Sequence, residues 1–128
     1  ATLASVGVDY YDEAAKKRRV IGERYRKELA ECRRITLMKY YPDRTPNYQI
    51  FPIHVNKRIR FAKFMRKNNI MVNINNRRND IYPIFGGFRK DLTQTARSDS
   101  DIILLPMHAD LTASQVSYII KKVKDATN

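Results

Sequence analysis

A chain of 128 residues has room for one domain with a real core, and too little for two comfortable ones. Hydrophobic residues make up 43% and charged residues 30%, which excludes a disordered polar chain, and no apolar run approaches the ~20 residues that span a bilayer. Lys and Arg outnumber Asp and Glu by 25 to 13, so the net charge of +12 favours anionic partners: nucleic acid, phosphorylated small molecules or an acidic protein surface.

The chain opens on Ala1-Thr2-Leu3, without an initiator methionine, and runs almost at once into a helical pattern. A chain cut from a longer one is the expectation, although simple methionine removal looks the same. Leu3, Val6, Tyr10, Ala14, Ile21, Tyr25, Leu29 and Cys32 fall at steps of three, four and seven, the stripe of one long helix over residues 3–32. Such a helix extends about 45 Å at 1.5 Å per residue, long enough to connect this domain to another body. Lys16, Lys17, Arg19, Arg24 and Lys27 lie largely off the stripe and read as a solvated basic face. Cys32 is the single cysteine, which excludes an intrachain disulfide and a cysteine-based zinc site. Its place on the stripe makes it a small core residue. With no signal peptide in the sequence, a cytoplasmic protein is the expectation.

Ile35–Met38 reads as a short strand, and Tyr40–Asn47, with Pro42 and Pro46, as a loop. Tyr48–Val55 reads as a better strand, in which Pro52 favours an edge position or a bulge. Asn56 is placed to cap the helix Lys57–Asn68, which Asn68-Asn69 can end in the left-handed conformation. Ile70–Ile74 alternates as a strand and gives way to the polar run Asn75–Asp80, then Tyr82-Pro83-Ile84-Phe85 and the turn Gly86-Gly87. A short helix is expected around Thr93–Arg97, a buried strand over Ile102–Leu105 and a stop at Pro106. Thr112 and Gln115 form a capping-box pair, and Leu111 and Val116 a hydrophobic staple, at the start of a final helix striped by Val116, Ile119, Ile120 and Val123. The expected fold is an α/β two-layer sandwich: a small, mainly antiparallel sheet of three or four strands, covered on one face by helices.

No catalytic set is legible. His54 and His108 lack a metal-ligand companion at helical spacing and read as structural. No G-x-S-x-G elbow and no phosphate-cradling glycine loop is present. The run Asn75–Asp80 is the densest cluster of hydrogen-bonding side chains at a strand end, where binding residues tend to sit. Its two arginines suit phosphate or carboxylate, and its asparagines offer donors and acceptors. A plain hydrophilic loop is the alternative.

Several motifs in order resemble the C-terminal part of the DegT/DnrJ/EryC1/StrS sugar aminotransferases. They are Arg18-Arg19 with Tyr25-Arg26-Lys27-Glu28-Leu29, then Tyr48-Gln49-Ile50-Phe51-Pro52-Ile53-His54-Val55, then Asn69-Ile70-Met71-Val72. Arg78-Asn79-Asp80, followed by Tyr82 and Phe85, looks like an "RND" form of the family, and Leu104-Leu105-Pro106-Met107-His108 with Leu111-Thr112 like its "SLPxH…LT" ending. The similarity covers nearly the whole chain. It implies the small domain of a fold-type I pyridoxal-phosphate transferase, with residues 1–32 as the connecting helix and 33–128 as the sandwich.

The complete enzyme, by this resemblance, moves an amino group, usually from glutamate, onto a nucleotide-linked keto sugar. The catalytic lysine and most of the pyridoxal phosphate site would lie in a large domain that this sequence lacks, so the chain is not competent alone. The implied partners are that large domain or subunit, the nucleotide-sugar substrate and a second copy in a homodimer. The implied contribution is a wall of the substrate cleft. Arg77 and Arg78 would make anion contacts; Asn76, Asn79 and Asp80 would meet sugar hydroxyls or fix the loop, with Tyr82 beside them. Many relatives place a histidine near Asn75 or Asn76, which this chain lacks. The alternatives are a self-standing basic module that binds nucleic acid or another anion, or a non-catalytic regulatory or scaffolding relative. Against nucleic acid, no aromatic-bearing RNP-type strand is present.

Overall fold

The computed structural model describes residues 7–74, 77–87 and 89–127. Helix α1 spans Tyr11–Leu29, with Asp12 and Glu13 in its first turn and Arg26 and Lys27 in its last, as the helix dipole favours. Only its second half meets the core, through Ile21, Gly22, Tyr25 and Leu29. Tyr10, the third position of the expected stripe, is exposed, and residues 3–6 of the expected helix lie outside the described residues.

Strands β1 (Ile35–Leu37), β2 (Phe51–Val55) and β3 (Ile102–Leu105) form an antiparallel sheet in the order β1-β2-β3. The expected strand from Tyr48 begins three residues later. Tyr48 has φ +49°, and the Asn47 side chain accepts a hydrogen bond from the Gln49 amide at 3.1 Å, a local turn that competes with the ladder.

The expectation for Pro52 is corrected: it sits in the central strand, neither at an edge nor in a bulge. The register explains how. Pro52 faces Leu104 across the β2–β3 ladder, and Leu104 turns its own amide and carbonyl the other way, to Asn73. The pair is therefore a non-hydrogen-bonded one, and the nitrogen of Pro52 points towards β1. There β1 has already ended at Leu37, so no ladder bond is lost.

Helix α2 spans Arg58–Lys67. Asn56 does not cap it; the N-cap is Lys57 at φ +60°, with no side-chain cap bond. Its far end follows the expectation. Asn69 takes φ +58°, the Ile70 amide reaches the Met65 carbonyl and the Asn69 amide that of Arg66, both at 3.0 Å. This is a Schellman closure, and Ile70 and Met65 are both buried beside it. Residues 71–74 add only a single bridge, Asn73 to Leu104, rather than the expected fourth strand.

Two 3₁₀ turns follow, Asn79–Ile81 and Pro83–Phe85, then α3 (Thr93–Asp101), β3 and α4 (Ala113–Thr127). At the head of α4 the Thr112 amide donates to Gln115 Oε1 (2.9 Å) and the Gln115 amide to Thr112 Oγ1 (3.2 Å), the reciprocal pair read from the sequence. Leu111 is half-buried against the core and Val116 is buried.

Phe51, Ile53, Val55, Ile103 and Leu105 join α1, α2 and α4 in one core, where Tyr25 meets Phe51 edge-on at 5.0 Å. Each fully buried side chain of this kind contributes about 1.5–3 kcal/mol. Burial raises the Tyr25 phenol, whose hydroxyl donates to the Pro106 carbonyl at 3.0 Å. Cys32 packs half-buried against this core. The mixed α/β architecture with its antiparallel sheet thus stands as read, but the expectation that helices cover one face alone is corrected, because a helix also packs against the second face. On the other face of the sheet, α3 lies against Pro52, Ile102 and Leu104.

Candidate functional site

The turns of the chain bring three segments to one end of the sheet: the end of β2 with the start of α2, the segment from Arg77 onward, and the end of α3. Asp99 of α3 ties them together. Its carboxylate accepts from the Arg77 Nε (3.1 Å) and the Arg78 amide (3.2 Å), and its carbonyl from the Arg58 guanidinium.

Arg78 and Asp80 form a buried clamp, each about 5–6% exposed. Arg78 Nε and Nη2 reach the two Asp80 oxygens at 2.6 and 2.5 Å, a bidentate pair. Arg78 Nη2 also donates to the Arg89 carbonyl (2.9 Å), and the Arg89 amide donates to Asp80 Oδ2 (2.8 Å). The Arg78 hydrogen bonds, then the Arg89 amide, hold the Asp80 carboxyl down at about 2. A desolvated pair whose remaining groups are satisfied by backbone fixes a loop in one conformation. The cross-links span residues 78 to 89 and 78 to 99, so they hold the segment at both ends.

Of the residues singled out in the sequence, Asn76, like Asn75, lies outside the described residues. Arg78 and Asp80 are brought together and turned inward, fixing the loop. Arg77 keeps its side chain 57% exposed beside Asp99. Asn79 is exposed at the head of the first 3₁₀ turn, where its carbonyl accepts from the Tyr82 amide at 3.0 Å. Tyr82, Ile84 and Phe85 project outward, Ile84 at 86% exposed, from the second turn that the clamp supports. Gly86 and Gly87 close the segment at φ +84° and +86°, where a side chain would be strained.

A cavity of about 220 Å³ opens behind Arg78, walled by Pro52 and Leu104 of the sheet and by Thr95, Ser98 and Asp99 of α3. Sequence reasoning did not find Asp99 or Arg89. Neither carries a local signal, since their partners in the clamped segment are 9 to 22 residues away. His54 is half-buried in β2, and His108 is exposed beyond β3. Among the described residues no group of three or more His, Cys, Asp or Glu could hold a metal ion, and no helix is long and apolar enough to cross a membrane.

Pyridoxal phosphate would need a shielded lysine for its aldehyde and a cradle for its phosphate. The lysines here are exposed or at most half-buried, and none lines the clamp or the cavity behind it. The residues present do not form that site.

Among solved structures, the sugar aminotransferase CalS13 of Micromonospora echinospora matches with a TM-score of 0.84 and 24% identity, over 89% of this chain and 31% of its own. DesV of S. venezuelae, solved in complex with a ketimine intermediate, matches at 0.89 and 18% identity, over 98% of this chain and 35% of its own. PseC of Helicobacter pylori, an aminotransferase involved in the biosynthesis of pseudoaminic acid, matches at 0.82 and 15% identity, over 94% and 34%. This chain therefore spans about a third of the length of these relatives, and at such identities the likeness is one of fold. A search of curated protein sequences returned no significant match. The family model described as the DegT/DnrJ/EryC1/StrS aminotransferase family covers residues 1–124, and the chain belongs to that family.

Proposed function

We propose that this chain is the small domain of a pyridoxal-phosphate-dependent sugar aminotransferase, with residues 1–32 as the connecting helix and residues 33–128 as the sandwich. The whole enzyme would transfer an amino group from glutamate to a nucleotide-linked keto sugar, as a cytoplasmic homodimer. The cofactor supplies the electron sink for that chemistry, and the rest of the enzyme would hold it.

The observation that carries this reading is the clamped segment at the end of the sheet. Arg78 and Asp80 hold it from within, while Arg77, Asn79 and Tyr82 face outward on a backbone with little freedom to move. A wall that presents a guanidinium, an amide and a phenol from a rigid support suits a polar, anionic substrate such as a nucleotide sugar. Asn76, next to this wall in sequence, belongs to the same proposed surface.

The test is to express the longest reading frame that contains this sequence and to add glutamate to the cofactor-loaded protein. Conversion of the cofactor to its amino form, read by absorbance, is expected. Its subsequent discharge by one member of a panel of nucleotide keto sugars completes the reading. A protein that binds no pyridoxal phosphate overturns it.

A further inference from the structure

Helix α2 departs from the charge pattern of its neighbours. The other helices pair their charges along one face: Glu13 with Lys17 and Arg24 with Glu28 in α1, Arg97 with Asp101 in α3, Lys122 with Asp125 in α4. In α2 the sequence RIRFAKFMRK holds five cations and no acid. Like charges three and four residues apart work against a helix, and cations in its first turn oppose its dipole. Among the described residues, Lys57, Arg60 and Lys63 have no ion-pair partner.

These cations surround a concavity of about 760 Å³. Lys57, Arg58, Arg60 and Lys63 line it from one side, and Ser100 and Asp101 from the other. Four cations face one carboxylate, and that carboxylate already accepts the Ser100 hydroxyl at 2.6 Å. The Nε of Arg58 is buried with no partner among the described residues. Its Nη1 is fixed on the carbonyls of Asp99 and Ile102, the second at 3.2 Å. Asp99 also holds Arg77, so the concavity and the clamped segment share one support.

We propose that this concavity is a phosphate subsite, taking the diphosphate of a nucleotide-linked ligand between Lys57, Arg60 and Lys63. The inference rests on the nucleotide-sugar reading above and names the part of the chain that would hold the substrate's phosphates. Flexible ammonium groups and a guanidinium around an open hollow suit a diphosphate, whose charge needs several donors and little shape selection. Among the described residues no aromatic side chain lines the hollow, so they offer the bases of a single-stranded nucleic acid no stacking platform there.

The test uses this chain with two probes, UDP and a single-stranded oligonucleotide, read by amide chemical shifts and by binding isotherms. UDP is expected to shift the amides of residues 57–63 before any others. Lys57→Gln/Arg60→Gln/Lys63→Gln should weaken UDP by about tenfold or more. Lys121→Gln/Lys122→Gln/Lys124→Gln removes the same charge from the end of α4, where none of the three lines the concavity, and should change it less than about threefold. Equal losses in both variants would mean attraction by net charge alone and would overturn the subsite. Absence of shifts at residues 57–63 would do the same, as would an oligonucleotide that binds more tightly than UDP and tightens with length. The wild-type fold serves as reference for both variants through their unchanged shifts in the sheet. UDP binding is read without any amino transfer, so a failure here leaves the aminotransferase reading standing. A failure of the glutamate reaction leaves the phosphate subsite standing.

Discussion

At Gly22 α1 packs directly against the Tyr48 ring, and Gly22→Ala probes that contact with a single carbon. A Cβ at this position would lie 2.4, 2.5 and 2.6 Å from three ring carbons of Tyr48. The ring cannot retreat easily. It is 2% exposed, its hydroxyl donates to the Glu23 carboxylate, and it is flanked by Phe51 at 6.2 Å and Tyr40 at 5.9 Å. Overpacking of this kind costs about 1–3 kcal/mol, and three sub-contact distances to one buried ring place the substitution near the top of that range. Against it stands the helix propensity gained on replacing Gly by Ala, about 1 kcal/mol. The net loss is about 2 kcal/mol, or roughly 6–10 °C in Tm for a chain of this size. Urea and thermal unfolding of wild type and variant measure it. A Gly22→Ala chain as stable as wild type, or more stable by its propensity gain, would refute the packing of Tyr48 against α1.

Loss of the Thr112 hydroxyl in Thr112→Ala removes one half of the reciprocal cap on α4 and should cost about 1 kcal/mol, seen as a lower urea midpoint at unchanged slope. The clamp sets a pH dependence. A carboxyl held below its unfolded value of about 3.9 stabilises the fold above that value and loses the contribution as pH falls through the folded one. With the Asp80 carboxyl at about 2, the segment should stay closed at pH 4 and open only as pH nears 2. The Arg89 amide, which donates to Asp80, reports this by its chemical shift; a midpoint near 4 would contradict the clamp. Asp80→Asn should speed hydrogen exchange at Arg78 and Arg89 at neutral pH while leaving the β2–β3 amides protected.

Local chemistry made much of the fold legible. The Thr112/Gln115 pair, the Asn68-Asn69 stop and the apolar run at Ile102 each carry their signal within a few residues, and each is found in place. Pro52 misled because its consequence depends on where a neighbouring strand ends, which β2 itself does not encode. Asn56 misled because the backbone passes through the left-handed region at Lys57, so the cap falls one residue later and without a side-chain bond. The site was legible as a position and only partly as chemistry. Arg78 and Asp80 stand out as polar residues at a strand end, yet they turn inward because Arg89 and Asp99 meet them there. Nothing in the sequence around residues 77–80 announces those two partners.

The most direct test of the central claim is the KM of the complete enzyme for its nucleotide keto sugar, measured with Arg77→Ala and, as a control on the exposed surface of α4, Lys121→Ala. If the Arg77 segment forms a wall of the substrate cleft, Arg77→Ala raises KM by about tenfold or more, the loss of one charge-assisted contact, while Lys121→Ala leaves it unchanged. An unchanged KM in Arg77→Ala, with the variant folded, would contradict the account.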